Sequence, residues 1–192
     1  MKTIIKKIAT VQMGYSFRSR LEISGGGNIA VIQMKDLPSD NIVNCRDLTK
    51  VDMKAIKEHH LAQKGDLVFR SRGLVTTAAV LIEHPGKAVV AAPLLRIRIT
   101  SPRKILPEYL NWYISQKDAQ IFLTRRAKGT VQKMISKQAV EDLEVWLPSL
   151  KQQQNIVELA SLSAREQTIL TTLAQKREQT ISKTLMKLAK GE

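Results

Sequence analysis

The chain has a single cysteine, Cys45, in 192 residues. A lone thiol excludes an internal disulfide framework and suits a reducing compartment, so a cytoplasmic protein is expected. Long apolar runs are missing as well. The longest, Ala88 to Leu95, is interrupted at Pro93 and falls well short of the about 20 residues that cross a bilayer. Lys6 and Lys7 interrupt the apolar residues of the N-terminus, which makes it a poor signal peptide. Neither end has the basic amphipathic pattern of a membrane-surface helix, so no membrane partner is expected. Aromatic residues are only 4% of the chain, too few for the stacking platforms of broad single-strand binding; Trp112 and Tyr113 read as core. Acidic residues are scarce, 17 against 31 basic ones, leaving a net charge of +14 and a pI near 10.1. That imbalance is the electrostatic footprint of nucleic-acid binding.

The tools of catalysis are also absent. No Walker A loop occurs, and no Gly-x-Gly-x-x-Gly precedes a helix; Gly25, Gly26 and Gly27 read as a turn. No Asn/Asp-Pro-Pro-aromatic tetrapeptide of a nucleic-acid amino-methyltransferase is present. Glu58, His59 and His60 lack the HExxH spacing, His84 precedes a Pro-Gly turn, and one cysteine cannot form a CxxC pair, so no metal site is expected. Glu141 and Asp142 read as a solvated helical face. The chain is expected to be non-catalytic.

What is present divides at Ser149. Residues 1–148 carry 24 Lys/Arg against 13 Asp/Glu and are punctuated by Gly, Pro and short β-like runs. Strands are expected at Ile29–Met34, Leu67–Phe69, Val75–Ile82 and Leu94–Ile99, a helix from Pro107 to about Lys128 stopped by Gly129, a helical turn at Ala139–Leu143 and a last strand at Glu144–Leu147. The fold class is therefore α+β, a mixed α/β domain followed by one long helix. Ser149 and Gln152 form a capping box, and neither Gly nor Pro recurs before Gly191. About 40 residues at 1.5 Å each give a helix of roughly 60 Å. Its apolar stripe breaks a strict heptad but follows an eleven-residue step through Leu159, Leu170 and Ile181, with Leu162 and Leu173 in a second row. These five residues are the expected contacts with another helix, because an isolated stripe of this length needs a partner.

Three Arg-x-Arg pairs lie in the first domain: Arg18/Arg20, Arg70/Arg72 and Arg96/Arg98. Residues two apart on an extended chain point the same way, so each pair is expected to offer two guanidinium forks to one surface. Such forks match phosphate oxygens and the O6/N7 edge of guanine. A second basic cluster, Arg125, Arg126 and Lys128, runs into Gly129, Thr130, Gln132 and Lys133. Arg18, Ser19, Arg20, Arg70, Arg72, Arg96, Arg98, Lys128, Thr130 and Lys133 are the candidate DNA-binding residues. Most are expected to touch phosphates, which position the protein without specifying sequence.

Four segments resemble, in order, the DNA-specificity subunit of type I restriction–modification systems. Residues 8–19, IATVQMGYSFRS, resemble the opening of its target recognition domain. Residues 65–73, GDLVFRSRG, resemble its Gly-Asp-strand-Arg-Gly motif. Residues 129–147 resemble its closing loop, helical turn and strand, and residues 148–157, PSLKQQQNIV, resemble its Pro-x-x-x-x-Gln approach to a long helix. The resemblance implies a non-catalytic subunit that directs an adenine-N6 methyltransferase, and often a restriction endonuclease, to a bipartite site on double-stranded DNA. S-adenosylmethionine would belong to the methyltransferase partner, leaving this chain without a cofactor. The usual subunit has two recognition domains and two antiparallel helices. One of each here implies a half-length form acting as a homodimer on a palindromic site, with half-sites about 18 base pairs apart across a 60 Å helix pair. The competing readings are a structural homo-oligomer with incidental charge, a metal-dependent nuclease, an RNA binder, and a remnant that blocks a full-length subunit.

Overall fold

The computed structural model describes residues 1–17, 26–37, 42–53, 55–73, 77–129 and 133–191. Met1–Gln154 form one compact unit and Asn155–Glu192 a second. The fold is α+β, with the described strands all in the first unit and a long helix at the C-terminal end.

Three sheets build the first unit. Strands β1 (Lys2–Ile4) and β9 (Glu144–Trp146) pair antiparallel, tying the start of the chain to the strand expected near its boundary. Four strands form the second sheet in the order β2 (Ala9–Met13), β8 (Leu95–Ile99), β5 (Leu67–Phe69), β6 (Ala78–Val80), all neighbours antiparallel. The third sheet places β3 (Ile29–Ile32) between β4 (Thr49–Val51), antiparallel, and β7 (Ala88–Val90), parallel. The four residues of β3 are all buried because both faces are covered. Ala30 and Ile32 pack with Val68, Ala79, Leu81 and Val90, whereas Ile29 and Val31 pack with Val51, Val89 and Ala91 under Tyr15, Phe17 and Leu61. That two-sided burial is why β3 reads as a continuous apolar run rather than an alternating one.

The register decides which loops meet. Met13 and Phe69 both lie opposite Leu95, so the chain leaves β2 and β5 at the same end of the four-stranded sheet. Gly14 follows Met13 where the chain crosses Ala91 and Ala92. A Cβ there would lie 2.6 Å from the Ala91 carbonyl carbon, so only glycine fits without backbone movement. Its N–H donates to the Leu94 carbonyl at 2.8 Å.

The expected helix from Pro107 to Lys128 is two helices, α1 (Pro107–Ser115) and α2 (Lys117–Arg125), broken at Gln116. Gln116 has an extended backbone, and its side-chain amide donates to the Trp112 carbonyl at 2.7 Å, closing the end of α1. Ser136 caps the short α3 (Lys137–Glu141), its Oγ accepting from the Ala139 N–H at 3.1 Å. Ser149 and Gln152 form the reciprocal cap of α4 (Leu150–Lys190). Just inside it, Gln153 is fully buried, its amide donating to the carbonyls of Lys104 and Pro148 and accepting from the Leu106 N–H. The first turn of α4 is thereby bonded to the loop before α1.

Of the 41 residues of α4, those from 161 to 190 are exposed throughout. Leu159, Leu162, Leu170, Leu173 and Ile181 are each at least 50% exposed. No described helix is long and apolar enough to cross a membrane.

Candidate nucleic-acid interface

Four of the expected DNA-binding residues, Arg18, Ser19, Arg20 and Thr130, lie outside the described residues. The other six separate into two groups with opposite fates.

Arg72, Lys128 and Lys133 come together. Ile135 donates its N–H to the Ser71 carbonyl at 2.7 Å, and Gly73 donates to the Lys133 carbonyl at 3.2 Å. Lys128 and Met134 exchange two backbone hydrogen bonds, at 2.9 and 2.8 Å. Met134 is thus the middle rung of a short antiparallel junction, with Arg72 on one side and Lys128 on the other. Residues directly opposite on paired chains present their side chains to the same face. The Arg72 guanidinium accordingly reaches the Met134 sulfur at 3.7 Å. Lys133, one residue along, alternates to the other side. All four side chains are exposed. No described carboxylate pairs with Arg72, Lys128 or Lys133. Ser71 fixes the base of the junction from inside, buried and donating from Oγ to the Pro93 carbonyl. Arg125 and Arg126, at the end of α2, are exposed beside it in sequence; Arg126 stacks on the Phe122 ring, 3.7 Å from its centroid.

Arg70, Arg96 and Arg98 are not free forks, and the expectation for these three is corrected. Arg70 turns from Arg72 and donates to the Met34 carbonyl at 2.9 Å, tying the end of β5 to the turn after β3. Arg96 and Arg98 do point the same way, as alternation requires, but that face is covered. Arg96 is only 7% exposed. Its guanidinium donates to the carbonyls of Leu61 and His59 at 2.7 and 2.9 Å and to Gln12 Oε1 at 2.5 Å. Arg98 makes a bidentate pair with Asp66, both bonds 2.7 Å, and a third bond to the Leu61 carbonyl. Burial pulls the Arg96 pKa down from its ordinary value, with Asp66 opposing the effect and Arg98 adding to it; the hydrogen bond that Arg98 donates to Asp66 raises that of Arg98. Both guanidiniums remain charged, since arginine does not deprotonate in proteins.

Asp66 is the residue the sequence reading missed. It is 1% exposed, and besides Arg98 it accepts the Gln63 N–H at 2.8 Å. Gly65, at φ +85°, makes the turn that delivers it. The arrangement clamps the turn at Glu58–His60 onto the four-stranded sheet, while Ala62 donates to the Ala88 carbonyl of β7. An aspartate directly before β5, the neighbour of the strand that carries both arginines, was the available signal; the covering turn had none. On its outer side this turn carries a ring stack, His59 on His60 and His60 edge-on to Tyr15, which in turn packs against Phe17. Burial, then His59, Arg96 and Lys57, lower the pKa of His60. Among the described residues no group of three or more His, Cys, Asp or Glu side chains could hold a metal ion.

The chemistry on offer is a pair of exposed cations with no acidic partner among the described residues, set on a hydrogen-bonded backbone junction and suited to anionic oxygens. A family model described as the type I restriction modification DNA specificity domain matches residues 2–181. The chain is similar in structure to the type I restriction–modification S subunit from M. genitalium, with TM-score 0.58 and 13% identity over 90% of this chain and 41% of that one. It is similar to a chain from a study of complex assembly and conformational transition of the type I R-M system, with TM-score 0.67 and 18% identity over 96% and 43%. The HsdS subunit from Thermoanaerobacter tengcongensis gives TM-score 0.61 and 17% identity over 91% and 39%. These likenesses are of fold, and the chain spans about two fifths of each of those proteins. No curated protein matches it.

Proposed function

The chain belongs to the type I restriction–modification DNA specificity family, and from that premise we propose that it is a non-catalytic specificity subunit. Residues 1–148 are its target recognition domain and residues 149–192 its dimerisation and spacer helix. Two copies pair through the helix and place two recognition domains on a bipartite, palindromic duplex site in the cytoplasm. The partner is an adenine-N6 methyltransferase, which binds S-adenosylmethionine, together with a restriction endonuclease where the system includes one. Leu159, Leu162, Leu170, Leu173 and Ile181 are the dimerisation contacts.

The observation that carries this reading is the junction of Arg72, Met134 and Lys128. Its two cations have no described acidic partner, and its backbone is held by four hydrogen bonds between residues far apart in sequence or across a loop. Proteins that grip a duplex need such cations, because neutralised phosphates release counterions and supply most of the sequence-independent affinity. A structural homo-oligomer needs none of this.

Purified chain offered a random duplex library, with selection and sequencing at two salt concentrations, tests the reading. Enrichment of a gapped motif, with affinity falling steeply in salt, supports it. Arg72→Ala and Lys128→Ala should each weaken binding and lower the slope of log K against log salt by about 1. Binding that ignores both substitutions overturns the interface.

A further inference from the structure

Two opposite charges, Glu166 and Arg177, interrupt the apolar strip of α4, and Glu178 lines the edge of its groove. Glu166 and Arg177 stand eleven residues apart, the same step that aligns Leu159, Leu170 and Ile181. Eleven residues are three turns, so Glu166 and Arg177 share one line, which runs between the row of Leu159, Leu170 and Ile181 and the row of Leu162 and Leu173. Arg177 shares one groove with Leu170, Leu173, Ala174, Ile181 and Leu185. Both residues are exposed, and neither has an ion-pair partner among the described residues. They cannot pair with each other, because eleven residues span about 16 Å of helix.

A charge enclosed in an apolar seam is strongly unfavourable unless an opposite charge meets it. That requirement selects the occupant and its direction. A parallel copy would set each Glu166 beside Glu166 of the partner subunit and each Arg177 beside Arg177 of the partner subunit. An antiparallel copy, with its two-fold axis between Thr171 and Thr172, sets Glu166 opposite Arg177 of the partner subunit twice. In that register Leu162 faces Ile181 of the partner subunit and Leu170 faces Leu173 of the partner subunit. A slip of eleven residues keeps some apolar pairs, Leu162 opposite Leu170 of the partner subunit one way and Leu173 opposite Ile181 of the partner subunit the other, but the charges do not tolerate it. A slip one way brings the two Glu166 together, and a slip the other way brings the two Arg177 together.

We propose that a second copy of this chain covers the strip in this antiparallel register, with the two Glu166–Arg177 ion pairs as its selectors. The inference rests on the homodimer reading and adds what fixes its geometry. Moving the axis by one residue changes the separation of the two helix starts by two residues, about 3 Å, or close to one base pair of duplex. Glu166 and Arg177 therefore set the spacer length of the bipartite site.

Full-length chains in a Cys45→Ser background test it by oxidative cross-linking. A mixture of Leu162→Cys and Ile181→Cys chains should give a disulfide-linked dimer, and neither variant should link to itself, because two copies of residue 162 lie about 28 Å apart in this register. Self-linking of Leu162→Cys would show a parallel pair and overturn the proposal. A dimer by sedimentation that gives no mixed product has another register, which overturns it too. A wild-type chain that stays monomeric removes the homodimer reading itself, and the seam then belongs to a different protein. Charge exchange is the second readout. Glu166→Arg alone and Arg177→Glu alone should each weaken self-association at least tenfold with unchanged helix content by circular dichroism. Their mixture should restore a heterodimer, and the Glu166→Arg/Arg177→Glu chain a homodimer. Singles that dimerise like wild type contradict the register.

Discussion

Asp66 holds two arginines that alternation alone would hand to a ligand. Its carboxylate takes both bonds of Arg98 and lies 3.9 Å from Arg96. Removing it leaves the buried Arg96 and the half-buried Arg98 guanidiniums without a counter-charge. Asp66→Ala should cost about 3–5 kcal/mol of folding stability, read as a lowered midpoint in urea. Gln153 makes a comparable point without charge. Gln153→Ala leaves the Leu106 N–H and the carbonyls of Lys104 and Pro148 without their buried partner, and the loss should be about 1–3 kcal/mol in the same measurement. Gly14→Ala drives a Cβ into the backbone of Ala91, which should cost about 1–3 kcal/mol and lower the Tm. The shared direction of Arg96 and Arg98 was legible in the sequence. What covered them was not: Arg96 and Arg98 share a face as alternation demands, but the turn at Glu58–His60 that covers it has no hydrophobic period and no capping residue to announce it.

At the scale of elements, the signals with a local physical cause survived, including the short strands at Leu67–Phe69 and Glu144–Trp146, whereas the long helix expected from Pro107 is broken. The capping box at Ser149 and Gln152, Pro107 in a first turn and the apolar run of β3 each had a local physical cause, and each stands where that cause put it. β1, β4 and β7 are three residues each and β2 five, lengths at which pattern carries little information; pairing with distant strands makes them. The break at Gln116 was invisible because glutamine is a good helix former; its backbone N–H donates to the Tyr113 carbonyl and its side-chain amide to the Trp112 carbonyl, which ends α1 there. The basic loop after α2 was legible as a cluster, yet its partner Arg72 comes from 56 positions earlier, joined through Met134. Met134→Gly should loosen that rung. DNA affinity should fall in the variant even though no charge is lost, with its salt slope retained, as measured by fluorescence anisotropy against ionic strength.

At the scale of the whole molecule, the net charge of +14 and the exposed apolar side of α4 ask for two different partners, a polyanion and a helix. Membership of the specificity family answers the first, and the charge pattern along the strip bears on the second. If this chain chooses where adenine is methylated, single-molecule sequencing of the native host with and without this gene will read that choice. N6-methyladenine should disappear from one palindromic, gapped motif and from no other. An unchanged methylome in a host that expresses the gene would contradict it.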